Sequence, residues 1–131
     1  MPEVPVSWGE LVDKLTILRI KAERLTDAAA LANVRRELAA LSPWEAALVA
    51  DARLTALRAA LAQVNTALWD VEDRIREKEA ARDFGGEFIE LARSVYLQND
   101  LRAAIKREIS LALGSDLVEE KSYAGSRPAA T

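Results

Sequence analysis

The stretch VNTALWDVEDRIREKEAARDFGGEF, residues 64–88, decides the fold. Val64, Leu68, Val71 and Ile75 recur three and four residues apart, which puts them on one face of a helix. DFGG then breaks the pattern, because Gly85 and Gly86 can take positive φ and stop the helix. Toward the N-terminus, Leu54, Leu57 and Leu61 hold the same spacing, and no Gly or Pro interrupts residues 44–84. SPWE, residues 42–45, carries a start signal, with Ser42 as N-cap, Pro43 at the first helical position and Glu45 at the third. The pattern predicts a single helix over 43–82, about 60 Å long, with a coiled-coil-like seam.

A further helix is predicted over 87–113, ending at Gly114. Its apolar stripe begins as Phe88, Leu91, Ala92 and Val95, then changes phase to Leu101, Ile105, Ile109 and Leu113. Before the long helix, the prolines of residues 1–6 predict an extended lead-in. SWGE makes Ser7 the cap of a first helix reaching residue 25, and Thr26 or Asp27 caps a second over 27–41. In the first helix Leu11, Leu15, Leu18, Ala22 and Leu25 share a face, whereas Val12, Ile17 and Ile20 lie off it. That helix is expected either at the centre of a bundle or under a second subunit, with Ile17 and Ile20 as interaction surface. Residues 115–131 lose periodicity, and Leu117, Val118 and Tyr123 are its docking candidates.

The expected architecture is all-α: one domain over 1–131, an antiparallel bundle of about four helices built on a long helical hairpin. Half of the 131 residues are hydrophobic and 30% are charged, a folded rather than disordered composition. The net charge of −3 gives no basic footprint for nucleic acid. The chain has neither Cys nor His, which removes thiolate metal sites, cysteine nucleophiles and the usual general base. No metal or cofactor is expected. The first residues lack the form of a signal peptide, and no apolar run is long enough to span a membrane, so a cytoplasmic protein is expected.

Beside the apolar seam of residues 64–88 runs a polar stripe: Asn65, Trp69, Glu72 and Arg76. Folding the hairpin about residues 84–85 brings it level with Asn99, Arg102 and Lys106, and the first helix adds Lys14 and Lys21. Three readings are open. The stripe is a solvated flank with Glu72 and Arg76 as an i,i+4 pair; or a buried network that fixes register; or a site for a small anionic ligand, with Arg102 as a fork, Lys106 or Lys21 as point charges and Trp69 as wall. Trp8 and Trp44, each just after a cap, are expected to shield helix ends. Glu119 and Glu120 are expected in a solvated tail. Glu72 and Asp73 point about 100° apart on a helix and make no facing dyad.

The segments GELVDK (9–14), NVRREL (33–38), WDVEDRIR (69–76), NDLRAAIK (99–106) and KSY (121–123) resemble motifs of a family of short bacterial helical proteins of unknown function. The resemblance implies no activity. It implies a role for the same polar residues and draws in Glu10 and Asp13.

Two function classes follow. The first is a non-catalytic interaction or scaffold module that self-associates or docks on a larger protein. The second is a small anion-binding protein or enzyme, similar to chorismate-mutase bundles in composition and architecture alone, using Arg102, Lys106 and Glu72 with Asn65 and Asn99 orienting.

Overall fold

The computed structural model describes residues 1–48 and 51–121. The described residues form four helices: α1 (Trp8–Arg24), α2 (Ala28–Ala46), α3 (Ala52–Ala80) and α4 (Gly86–Ala112). There is no strand among the described residues, and the helices pack on one another as an all-α bundle. No helix among them is long and apolar enough to cross a membrane. Tyr123, a docking candidate of the tail, lies outside the described residues.

α3 and α4 form the expected hairpin. Leu54, Leu61, Val64 and Leu68 of α3 are buried along the predicted seam, and Leu91 and Ile109 answer them from α4. α1 lies against both arms. Its Asp13 meets Asn65 and its Arg24 meets Asp70, so α1 runs with α3. Its Gly9 meets Lys106 and its Asp13 meets Arg102, so it runs against α4. Val12 of α1, Leu54, Leu61 and Ile109 form the centre of the core, with Trp8, Leu57 and Ile105 packed around it.

α1 touches all three other helices, which explains its apolar residues on more than one side. Ile20 is buried within the monomer and is no interaction surface, whereas Ile17 is half-buried. α2 packs on α1 and not along the hairpin.

The single helix expected over 43–82 is two helices. α2 runs on through Pro43 and ends at Ala46, and α3 starts afresh at Ala52. Pro43 has no N–H for the Ala39 carbonyl, and the Ser42 hydroxyl donates to that carbonyl instead, at 2.9 Å. Ser42 therefore mends a helix rather than starting one. α3 begins at Asp51, whose carboxylate accepts from the Leu54 N–H at 2.7 Å. Glu45, freed from the expected capping role, binds Arg19 of α1 at 2.5 Å and Arg58 of α3 at 3.0 Å. Trp44 is 59% exposed, whereas Trp8 packs against the core.

The hairpin turn also differs from expectation. Gly85 has φ −76° and is the N-cap of α4. The left-handed residue is Arg82, φ 52°. It closes α3 with a paired motif: Arg82 N–H donates to Glu79 and Asp83 N–H to Lys78. Gly114, φ 71°, ends α4 as expected.

Candidate functional site

Gly9 sets the site. A Cβ there would sit 2.2 Å from the Lys106 carbonyl oxygen, so only glycine lets the α4 backbone come this close to α1. One turn along each antiparallel helix, Gly9 gives way to Asp13 and Lys106 to Arg102. Asp13 is thereby carried into the bundle facing Arg102, and its residue is 1% exposed.

The Asp13 carboxylate is fully engaged. Arg102 grips it bidentately, with Nε donating to Oδ1 at 2.9 Å and a terminal nitrogen to Oδ2 at 2.5 Å. Asn65 Nδ2 donates to Oδ1 at 3.0 Å. Lys106 Nζ stands 3.8 Å from Oδ2 and binds Glu10 at 2.6 Å. Two cations thus face two carboxylates, and the cluster is neutral. The Asp13 hydrogen bond is the main reason that Arg102 is held above its ordinary pKa; burial opposes it, and the charges of Asp13, Glu10 and Glu72 add to it.

The residues expected in the polar set divide. Asn65, Arg102 and Lys106 converge, on Asp13 rather than on Glu72. Glu72 and Arg76 are exposed and do not pair with each other; Arg76 lies 3.6 Å from Asp73. Trp69 is half-buried one turn above Asn65. Asn99 is half-buried and lines a shallow groove of about 330 Å³ with Tyr96, Arg102, Lys106 and Lys121. Lys14 is drawn to Glu37 of α2 at 2.7 Å. Lys21, in the last turn of α1, is two turns from Asp13. Asp13 is the centre of the cluster, and only the GELVDK segment pointed to it.

A second polar cluster closes the bundle end. Ser7 Oγ accepts from the Glu10 N–H at 3.0 Å and donates to the Glu119 carboxylate. Ser110 Oγ, 0% exposed, accepts from the Gly9 N–H at 3.0 Å and donates to Glu119 at 2.9 Å. Glu119 is half-buried, not part of a solvated tail. Arg107 holds the Glu119 carbonyl at 2.9 Å and Glu120 at 2.5 Å, and Lys121 pairs with Asp100 at 2.8 Å. Residues 115–121 thus run back along α4 as a strap.

Among the described residues no group of three or more Asp or Glu is placed to hold a metal ion. Compared with protein-family models, curated proteins and solved structures, the chain has no match in any of the three.

Proposed function

We propose that this chain is a non-catalytic helical interaction module of the cytoplasm, which self-associates or docks on a larger protein. The observation that carries the reading is the closure of the Asp13 cluster. Arg102, the best fork for an anion, is already committed bidentately to Asp13, and Lys106 to Glu10. An incoming anion would have to displace a buried carboxylate. Such closed pairs fix helix register and leave the exposed faces for contact. α4 offers such a face, with Leu97 51% and Leu101 52% exposed.

A photo-reactive residue in place of Leu97 is expected to cross-link to protein in the cells that make the chain. Absence of any product would overturn the reading.

The alternative, an anion-binding protein, is favoured by one feature: Asn99, Arg102, Lys106 and Lys121 all line the groove beside Tyr96. Thermal unfolding with inorganic phosphate and small dicarboxylates decides between the two. The interaction reading expects no stabilisation. A rise that disappears in Lys106→Met would give the site to an anion.

A further inference from the structure

α1 begins with three backbone N–H groups that have no carbonyl partner within the helix. Each meets a serine oxygen instead. The Glu10 N–H donates to Ser7 Oγ at 3.0 Å, the Gly9 N–H to Ser110 Oγ of α4 at 3.0 Å, and the Trp8 N–H to Ser115 Oγ of the strap at 2.9 Å. The hydroxyls of Ser7 and Ser110 then both donate to one carboxylate, that of Glu119. Residues 115–121 thus supply one of the three caps and the acceptor that serves the other two.

Little apolar surface ties the strap down. None of residues 115–121 is buried; Ser115, Val118 and Glu119 are half-buried, and the other four are exposed. Ser110, to which Glu119 is bonded, is by contrast 0% exposed, and the helices bury Val12, Leu61 and Ile109 completely or nearly so. A segment with few buried apolar contacts opens locally at a far lower free energy than the fold as a whole.

The polar contacts of the strap are unequal. Arg107 holds Glu120, whose side chain is 77% exposed, and also the Glu119 carbonyl at 2.9 Å. Lys121 pairs with Asp100 at the far end of the strap. Ion pairs between long side chains at the surface contribute little. The Glu119 carboxylate accepts two O–H donors, and bonds to a charged acceptor are about twice as strong as neutral ones. They also orient both hydroxyls, leaving the oxygen lone pairs for the N–H groups of Gly9 and Glu10. The pivot is Gly114, φ 71°, since glycine passes between positive and negative φ without a Cβ penalty. A change there carries the Ser115 N–H away from the Ser110 carbonyl, which it meets at 2.9 Å, and Ser115 Oγ away from Trp8.

We propose that residues 115–121 are a latch, which swings open as a unit about Gly114 while the four helices stay packed, with Glu119 as the pin that holds it shut. Opening leaves the Ser7 and Ser110 hydroxyls without their acceptor and the Trp8 N–H without its cap. The latch therefore governs how firmly the first turn of α1 is held to α4. It is independent of what the chain binds and stands or falls apart from the interaction reading.

Hydrogen exchange of the purified full chain, followed amide by amide by NMR and referred to unstructured-peptide rates, tests it. The N–H groups of Trp8 and Ser115 are expected to exchange together, about a hundredfold or more faster than those of Leu61 and Leu68 in α3. Glu119→Gln offers one acceptor where two hydroxyls donate. It should speed Trp8 and Ser115 about tenfold or more and leave Leu61 and Leu68 unchanged. Glu120→Gln removes only the surface pair with Arg107 and should leave all four amides within about twofold of wild type. Wild-type Trp8 and Ser115 exchanging as slowly as Leu61 would make the strap part of the cooperative core and overturn the latch. A fast Trp8 beside a slow Ser115 would assign the motion to fraying of α1 and overturn it too. Equal acceleration of all four amides by Glu119→Gln, or an effect of Glu120→Gln as large as that of Glu119→Gln, would remove Glu119 as the pin.

Discussion

Gly9 faces the carbonyl of Lys106 across a gap with no room for a methyl group. The obstacle is backbone, which cannot rotate aside as a side chain would. Gly9→Ala must push α1 off α4 and loosen both the Asp13 cluster and the Ser110 contact. Its cost is expected at or above the top of the usual range for overpacking, about 3 kcal/mol. Denaturant unfolding measures it; a loss under about 1 kcal/mol would mean that the helices separate easily here.

Arg102→Met removes the bidentate partner of a carboxylate that is 2% exposed at its side chain. Asn65 and a Lys106 ammonium 3.8 Å away are left to compensate. Stability at neutral pH should fall by about 3 kcal/mol, the lower part of the range for breaking a buried pair, because Arg102 itself reaches water. Asp13→Leu in the Arg102→Met background should recover part of the loss, since both charges are then gone. A near-zero effect of Arg102→Met would show that the pair is dispensable and return weight to a ligand site.

Arg82 sits in the left-handed region at the end of α3, where its Cβ is strained. Glycine has no such penalty and keeps both closing hydrogen bonds. Arg82→Gly is expected to stabilise the chain by about 1 kcal/mol. A destabilised variant would show that the Arg82 side chain contributes more than its backbone costs.

Acid should loosen the hairpin turn through Lys78. Its hydrogen bonds are the first cause holding Glu87 and Asp83 below their ordinary values of 4.5 and 3.8. Folded values below unfolded ones mean stability that is present above about those values and lost as pH falls through the depressed folded ones. Lys78 is itself raised by the same bonds, chiefly to Glu87, and its share is lost only in alkali. Lys78→Met should therefore be less stable than wild type near neutrality and converge on it in acid. Urea midpoints at pH 7, 5, 4 and 3 check this; parallel curves for the two proteins would reject it.

The seam of α3, the extent of α4 and the crowded faces of α1 were all readable, because burial of a helix face imposes a period on the sequence. Leu61, Leu68 and Ile109 show it. The break between α2 and α3 was not readable. Ser42, Pro43 and Glu45 have the composition of a helix start, and only the path of the chain lets Ser42 repair the proline and Glu45 reach Arg19 and Arg58. Half of the polar cluster was legible from hairpin level alone, since Asn65, Arg102 and Lys106 do converge. Its anion was not: Asp13 comes from a third helix whose register is set by Gly9, and pairing arithmetic on two helices does not contain it. Glu119 was missed for a related reason. Its partners Ser7 and Ser110 lie 112 and 9 residues away, and a short acidic tail gives no local signal of either.

The contacts between α1 and α4 join parts of the chain that lie far apart in sequence: Gly9 to Ser110, and Ser7 to Glu119. The α3–α4 hairpin, by contrast, closes over a turn of a few residues. Loop closure between distant segments is slow compared with local pairing. During synthesis α1 emerges ahead of α2, α3 and α4, carrying Leu11, Val12, Leu15 and Leu18, so the helices that bury them come later. α1 is thus fully sheltered only when α4 has been made, and the interval before α4 and its strap arrive is when this chain is most exposed to aggregation.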